Sequence, residues 1–508
     1  MIFFLSAFEN SDREMRKWIC KILCMLIFLK SSVFLISCTT NPATGSQQFT
    51  LFMSKEQERQ IGAQEHQKIL KKYGGVIDDK KIVQYVDAIG QKLAKNTERP
   101  DVRYSFHVLD TELVNAFALP GGYIYITRGL MTLANTEAEL AAVIGHEIAH
   151  VTARHSAERY SHAVVASLGT SILGASLQNA QLQDFAGIGS ELYLKGYSRS
   201  QENEADEVGL RYLQRAGYNV SGMAGFLSSL EAYSEFEKER QNISETAPIM
   251  QYFSTHPQTS KRISLVRNKA SEYQDTASRR IGREDYLEII DGMIFGHSPK
   301  QGFIRGNSFI HPELGFRFDV PHDFTIKNLP TQVIAQNRTG AAVIFDSAKN
   351  QGNFGPLIYL RDIWMGGESL TSLENITING KKAATGNFNG RINGKPATIR
   401  LVAVQWDKKR FYRFVFAIPP NAPSELVDDF RKTTYSLKAL NNRDRQKYNP
   451  YRIKIVTAQE GDTVKTLADR QSFEKYRERW FRVVNALPPG VPLNVGQKYK
   501  IIVEQARK

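Results

Sequence analysis

Apolar and polar positions alternate with two different periods in the first half of the chain. Residues 104–109 and 122–127 alternate at period two, which predicts two strands. The polar stretch 54–73 carries apolar residues at helical spacing and predicts a helix before those strands. The stretch 136–159 opens with capping-box spacing and continues with an apolar face, and 200–216 is also helical in pattern. We therefore expect a mainly helical domain with a small sheet.

The second half of the chain changes to strand-like runs. Residues 296–307 are rich in Gly, Ser, Pro and Asn and predict a linker. Residues 303–440 then hold several runs of β-branched and aromatic residues and one helical stretch, and 450–508 form a third, small unit. The predicted class is α+β, with a helical domain over 54–295, a β-rich α+β domain over 303–440 and a small α+β module at the end.

The N-terminus has the pattern of an export signal. A basic start is followed by an apolar stretch, and the sequence before Cys38 resembles a bacterial lipoprotein signal. We expect residues 1–37 to be a signal peptide with its true start at Met15, Cys38 to carry the lipid, and 38–53 to be a tether. An uncleaved transmembrane anchor is the alternative. Thr39 is not the aspartate that retains such lipoproteins in the inner membrane, so we expect the periplasmic face of the outer membrane.

Composition narrows the chemistry and the partners. All three cysteines lie within the first 38 residues, so a metal site further along must use His and carboxylate ligands. The chain carries a net charge of +14, and residues 441–508 hold 15 Lys/Arg against 7 Asp/Glu. Such a basic end favours anionic surfaces. Because export separates the chain from nucleic acid, we expect anionic lipid or cell-wall polymer instead.

The most specific motif lies in the middle of the predicted helix 136–159. His146 and His150 are four residues apart, so they differ by about 40° in azimuth and about 6 Å in height on a helix. Both imidazoles can therefore reach one zinc ion. Glu147 has a different azimuth and can act as the general base on a zinc-bound water.

A catalytic zinc site takes a third protein ligand and leaves a position for water. His155 lies about 140° round the same predicted helix from His150, so we expect a surface or second-layer histidine. Glu202 and Asp206 share one face of the next helix at i and i+4. One carboxylate can bind zinc while the other holds a ligating imidazole. Alternatively, these acidic residues only complement the helix dipole.

Four motifs together resemble the periplasmic, β-barrel-assembly branch of the CAAX prenyl protease superfamily over about residues 45–290. They are the residues 146–150, the Ser198-Arg199-x-x-Glu202-x-x-x-Asp206 stretch, residues 115–122 and residues 254–257. The resemblance implies a zincin-type protease domain with one zinc ion per chain. By residue it implies His146, His150 and Glu202 as zinc ligands, Glu147 as base, Asp206 as the second-layer carboxylate and His256 as a removable fourth ligand. Asn115 and Arg199 are candidate stabilisers of the oxyanion, with a turn residue or an ion-pair residue as the alternative for each. His256 could instead be a loop histidine that only precedes Pro257.

Two further expectations concern substrate and cell wall. Residues 121–127 are expected to be an edge strand onto which an extended substrate adds, with an ordinary buried strand as the alternative. The end of the chain weakly resembles a lysin motif, which implies peptidoglycan binding; a generic small α+β unit is the alternative. The chain also departs from the superfamily, because the pattern predicts neither its multiple membrane spans nor a C-terminal helical repeat domain.

These features together predict a zinc-dependent endopeptidase that hydrolyses misfolded or stalled envelope and outer-membrane proteins. Its expected partners are protein substrates, an envelope membrane, peptidoglycan and the outer-membrane assembly machinery, and not nucleic acid. Two other functions stay open at this point. One is a latent, chaperone-like protein whose zinc site is closed by His256, and the other is a cell-wall-binding scaffold that uses the basic end of the chain.

Overall fold

The computed structural model describes residues 38–173, 196–241, 252, 255–257, 260–273, 278–392, 394–472 and 475–505. The predicted signal peptide 1–37, with the expected start at Met15, lies outside these residues. Across the described ranges, the helices are too short or too polar to cross a bilayer.

Residues 38–53, expected to be a tether, form a folded hairpin. Strands β1 (Cys38–Thr40) and β2 (Gln47–Phe49) pair antiparallel, with Cys38 opposite Phe49. Asn41 is only 2% exposed because its side chain reaches Glu204 in a later helix. The hairpin includes Cys38 and packs against the domain that follows it.

Helices build most of that N-terminal domain. They are α1 (Lys55–Lys72), α2 (Lys80–Ala94), α3 (Arg128–Leu133), α4 (Glu137–Thr152), α5 (His155–Leu173), α6 (Arg199–Arg215), α7 (Ser221–Gln241), α8 (Ser260–Ser271) and α9 (Arg283–Ile290). Side chains of Ser54, Thr136 and Ser198 cap the first turns of α1, α4 and α6. These starts agree with the sequence patterns.

The small sheet of this domain corrects the prediction of the substrate strand. Its order is β3 (Ser105–Leu109), β5 (Tyr123–Thr127), β4 (Ala116–Leu119). Strand β5 pairs parallel to β3 and antiparallel to β4, so residues 123–127 form the central strand. The expectation that 121–127 is an edge strand is wrong, because the short segment 116–119 folds back along it and takes that place.

The predicted helix 136–159 is interrupted in the middle. Helix α4 ends at Thr152, and Arg154 adopts a left-handed backbone with φ of 57°. The guanidinium of Arg154 donates to Glu58 Oε1 at 2.9 Å and to the Met53 carbonyl at 2.7 Å. These bonds hold a conformation that costs a non-glycine residue about 1–2 kcal/mol, and they redirect the chain into α5.

Glycine lets helices α4 and α6 approach each other closely. A Cβ at Gly209 on α6 would lie 3.2 Å from the backbone nitrogen of His146 on α4 and 2.9 Å from Cε of Met223. Real side chains rarely pack so tightly against a backbone, so only glycine fits without a shift. The contact sets the distance between the two helices that carry the histidines and the acidic pair.

The β-rich domain has two antiparallel sheets. A seven-stranded sheet has the order β10-β11-β12-β16-β15-β14-β13, and a four-stranded sheet has the order β17-β9-β8-β7. The strands are β7 (Phe303–Arg305), β8 (Ser308–His311), β9 (Phe316–Asp319), β10 (Thr325–Leu329), β11 (Gln332–Gln336), β12 (Ala342–Lys349), β13 (Thr371–Ile378), β14 (Lys381–Ile392), β15 (Lys395–Asp407), β16 (Arg410–Ile418) and β17 (Lys438–Ala439). The helices are α10 (Pro356–Ile358), a π-helix (Tyr359–Trp364), α11 (Glu425–Ser436) and α12 (Asn442–Lys447). Phe430 on α11 packs against Phe416, and Tyr359 stacks on Phe411.

The last unit runs strand, helix, helix, strand. Its elements are β18 (Tyr451–Thr457), α13 (Val464–Asp469), α14 (Arg477–Val484) and β19 (Lys498–Glu504). Strand β18 also pairs with β6 (Ile294–Phe295) of the N-terminal domain. The buried Lys500 donates to the carbonyls of Thr132 and Ala134, each at 2.8 Å. The unit is thus fastened to the helical domain, and the predicted α+β class is confirmed.

Candidate metal centre

Four side chains from three parts of the helical domain converge on one point. Helix α4 supplies His146 and His150, α6 supplies Glu202, and His256 lies between α7 and α8. The Nε2 atoms of His146 and His150 are 3.0 Å apart, and His146 Nε2 lies 3.4 Å from His256 Nδ1. Glu202 Oε1 lies 3.0 Å from His256 Nδ1 and 3.4 Å from His150 Nε2. All four side chains are buried.

This set fits a zinc ion. Ligand atoms about 2.0–2.1 Å from one tetrahedral ion lie roughly 3.3–3.4 Å from each other, which is close to the distances observed. Three imidazoles and one carboxylate are also ligands that zinc accepts. The sequence motifs predicted all four members, and the structure brings them together.

The charges around the cluster favour a cation. Burial alone would raise the pKa of the Glu202 and Asp206 carboxyls, but the charges of His256 and Arg262 outweigh burial and lower the pKa of Glu202 well below its usual range. Arg262 and His146 likewise lower the pKa of Asp206. Burial would lower the pKa of His146, yet Asp206 and Glu202 raise it to about 9. Burial keeps the pKa of His150 well below 6.5, so that ring stays neutral, as a metal ligand must be.

A second layer of groups supports the four side chains. Asp206 Oδ1 lies 2.9 Å from His146 Nδ1, where the sequence placed a second-layer carboxylate. Arg262 on α8 is 2% exposed and lies 2.6 Å from Glu202 Oε2 and 2.8 Å from Asp206 Oδ1. One buried cation therefore fixes both carboxylates in place. The motifs do not include Arg262, which comes from a helix more than fifty residues further along the chain.

Glu147 lies beside the cluster, and its carboxyl oxygens accept no hydrogen bond among the described residues. Its side chain is fully buried, and Oε1 is 3.4 Å from His256 Nε2. Burial raises the pKa of this carboxyl above its usual value. A buried carboxyl that accepts no hydrogen bond is costly to keep and is typical of a group that works in a reaction.

His256 is held from three sides. Its Nε2 lies 3.2 Å from the carbonyl oxygen of Ala116, the first residue of edge strand β4. Its ring stacks on Tyr252 at 4.7 Å between centroids, and its backbone N–H donates to the Tyr252 carbonyl. His256 is therefore the fourth member of the ligand set and also contacts the first residue of strand β4.

The two predicted oxyanion stabilisers differ in position. Asn115 is fully buried next to Ala116; its Oδ1 accepts from Thr255, and its Nδ2 has no acceptor among the described residues. Arg199 is exposed at the start of α6, so the structure does not bring it to the cluster.

His155 lies behind the cluster and is 1% exposed. Its Nδ1 is 2.7 Å from His150 Nδ1, and its Nε2 is 3.0 Å from Glu204 Oε2. Of the two positions expected for it, the second-layer position is correct and the surface position is wrong. The backbone turn at Arg154 brings the ring back towards His150. Tyr197, which no motif indicated, stacks on His150 at 3.6 Å between centroids.

Comparison with known proteins finds similarity to a peptidase family and to named proteases. The model of "Peptidase family M48" matches residues 81–270. The "Beta-barrel assembly-enhancing protease" of Yersinia pestis is 29% identical over 223 residues, which are 42% of this chain and 43% of that protein. The protein of the same name from Escherichia coli K12 is 26% identical over 260 residues, 49% of this chain and 51% of that protein.

A eukaryotic relative shares the same segment. The "Mitochondrial metalloendopeptidase OMA1" of Schizosaccharomyces pombe is 29% identical over 191 residues, which are 37% of this chain and 53% of that protein. The chain thus spans about half the length of the relatives it matches. Residues 81–270 of this chain are therefore similar to Peptidase family M48, and that segment contains all four side chains of the cluster.

Proposed function

We propose that this protein is a zinc-dependent endopeptidase of the bacterial envelope that hydrolyses misfolded or stalled outer-membrane proteins. The observation that carries the proposal is the buried cluster of His146, His150, Glu202 and His256 with the carboxyl of Glu147 beside it, which accepts no hydrogen bond among the described residues. A zinc peptidase needs an ion site and a base next to each other, whereas a structural metal site has no use for the base.

The chain's own residues divide the work as follows. A zinc ion bound by the cluster would supply a Lewis acid that acidifies water and polarises the scissile carbonyl. Glu147 accepts the proton of the attacking water and delivers it to the leaving amine; its raised pKa suits a group that takes and returns a proton near neutral pH. Asn115 donates from Nδ2 towards the carbonyl oxygen as negative charge develops there.

Strand β4 offers the substrate its backbone. It pairs with β5 on one side, and on the other side Ala116 faces His256. An extended peptide adding to this edge gains main-chain hydrogen bonds whatever its side chains are. Such binding selects unfolded segments, which agrees with the quality-control substrates proposed here.

His256 would make the resting enzyme latent. Its imidazole takes the fourth place of the ligand set and contacts the end of the substrate strand at Ala116. Cleavage then requires His256 to leave, which frees the place for water and the edge for peptide.

The envelope location rests on the signal pattern before Cys38 and on the names of the bacterial relatives. We propose that Cys38 carries the lipid and that the basic final unit contacts peptidoglycan. Membrane fractionation should find the protein in the outer membrane, and recovery in the inner membrane would contradict this location. Sedimentation of the purified protein with peptidoglycan tests the second contact.

Digestion of an unfolded protein tests the peptidase itself. Three forms of residues 39–508 are compared: the unaltered sequence, His256→Ala, and His256→Ala combined with Glu147→Gln. We expect His256→Ala to cleave fastest and the double variant or chelator to abolish cleavage. Zinc-loaded His256→Ala that cleaves no unfolded protein would refute the proposal.

A further inference from the structure

A chain of hydrogen bonds runs from the zinc-ligand cluster to the N-terminal hairpin. His150 Nδ1 lies 2.7 Å from His155 Nδ1, and His155 Nε2 lies 3.0 Å from Glu204 Oε2. The other oxygen, Glu204 Oε1, accepts from Asn41 Nδ2 at 2.8 Å and from Thr44 Oγ1 at 2.7 Å. Three steps, the last of them made of two bonds, therefore connect a metal-facing imidazole to the hairpin of β1 and β2.

Chemistry fixes the direction of each bond. If His150 binds the ion through Nε2, its proton is on Nδ1, and that N–H donates to His155 Nδ1. His155 is then protonated on Nε2 and donates to Glu204 Oε2. Glu204 is an acceptor at both oxygens, and Asn41 and Thr44 are donors. Every polar atom along the route has the partner that its protonation requires.

Burial makes the route effective. His150 and His155 are each 1% exposed and Asn41 is 2% exposed, so water cannot replace these partners at low cost. Glu204 is partly exposed at its hairpin end, and the two hairpin donors hold the carboxylate in the orientation that faces His155. Partners of this kind usually change metal affinity by about 10–100-fold when removed.

A second contact ties the same hairpin to the turn that carries His155. Arg154 donates from Nη1 to Thr50 Oγ1 at 3.2 Å, just after β2, and from Nη2 to the Met53 carbonyl at 2.7 Å. Its left-handed backbone aims His155 towards His150. The hairpin region thus positions both His155 and its carboxylate partner.

We propose that the N-terminal hairpin is a positioning element of the metal site, and that it sets the zinc affinity through Glu204, His155 and His150. The inference rests on the proposed function for the identity of the ion, but it concerns zinc retention and not cleavage. Its consequence is that a displaced hairpin would release zinc more easily.

Zinc affinity of the full chain, purified in detergent, tests the proposal. A chromophoric chelator competes for zinc, and the melting temperature of the zinc-free form monitors folding. His155→Phe keeps a ring but removes both bonds, and we expect a zinc Kd about 10–100-fold higher. His155→Gln retains one acceptor and one donor. Its zinc Kd should lie between those of the unaltered protein and His155→Phe. Cobalt substitution provides a spectrum that reports the ligand geometry directly.

Hairpin variants test the remote end of the route. Asn41→Asp keeps the oxygen that accepts from the Ala43 N–H but replaces the donor to Glu204 with a second carboxylate. We expect a several-fold higher zinc Kd and a shifted cobalt spectrum. Thr40→Val is the matched control, because Thr40 is an exposed residue of β1 that pairs with Gln47 and lies outside the route to Glu204. It should leave the Kd unchanged.

Two results would overturn the proposal. One is an unchanged zinc Kd in His155→Phe whose zinc-free form melts normally. The other is an unchanged Kd and cobalt spectrum in Asn41→Asp, which applies also if His155→Phe does not fold. The measurements use no substrate, so loss of the proposed peptidase function would appear separately, as zinc-loaded His256→Ala that cleaves nothing.

Discussion

Replacing Arg262 with methionine should strongly destabilise the zinc-free protein. The guanidinium contacts Glu202 and Asp206, which are 1% and 4% exposed. Methionine fills similar space but leaves both carboxylates buried without this counter-charge. Removing one partner of a buried ion pair costs about 3–5 kcal/mol. We therefore expect the free energy of opening of helix α6 to fall by roughly 3 kcal/mol or more.

Native-state hydrogen exchange with chelator present is the suitable assay, because it reports the stability of α6 without requiring the whole chain to unfold in one step. Arg267→Met, at an exposed position on the same helix as Arg262, is the control and should change the opening free energy by about 0.5 kcal/mol or less. A loss below about 1 kcal/mol in Arg262→Met would refute the view that this cation holds the acidic pair.

The pH dependence of Arg262→Met gives an internal check. Although burial opposes it, the native pKa values of Glu202 and Asp206 are lowered, so their contribution to stability is present at neutral pH and is lost as pH falls through those lowered values. In Arg262→Met the carboxyls protonate at higher pH, which relieves the cost. The difference in the opening free energy of α6 between the unaltered protein and Arg262→Met should therefore be largest near pH 7 and shrink on acidification.

Three further changes have defined outcomes. Gly209→Ala should push α6 a few tenths of an ångström from α4, because its Cβ meets the His146 backbone at 3.2 Å. The zinc Kd measured by chelator competition should then rise several-fold. An unchanged Kd would contradict the close-approach argument. Burial lowers the pKa of His107 to about 4, so the contribution of this residue to the free energy of unfolding is full above pH 6.5 and is lost as pH falls towards 4. In urea unfolding, His107→Phe should reduce this loss of stability by at most about 3 kcal/mol. Parallel stability-versus-pH curves for the two proteins would count against it. Lys500→Met should cost about 2–3 kcal/mol, since the Thr132 and Ala134 carbonyls lose their donor, and should expose residues 450–505 to limited proteolysis; unchanged resistance would mean that other contacts hold the unit.

Local pattern predicted the parts of the site that lie on regular helices. The four-residue spacing of His146 and His150, and of Glu202 and Asp206, places each pair on one helix face whatever the rest of the chain does. The helix starts at Ser54, Thr136 and Ser198 follow from capping chemistry in the same way. Short-range rules were sufficient for these features.

The rest depended on contacts between distant segments. Continuing the helix to residue 159 put His155 on the wrong face, because the left-handed turn at Arg154 is held by Thr50, Met53 and Glu58. The 38–53 segment looked like a tether because its polar residues gave no sign of their partners. Strand β5 looked like an edge because the pairing of 116–119 depends on how the sheet closes.

The folded hairpin sets the working range of the enzyme if Cys38 is its lipid attachment. Sixteen extended residues would give a leash of about 50 Å. Here Cys38 itself is paired in the hairpin, so the leash has almost no length. In that case the domain would be held close to the bilayer surface, and diffusion of substrates within the membrane plane, not the reach of the domain above it, would decide which chains meet β4.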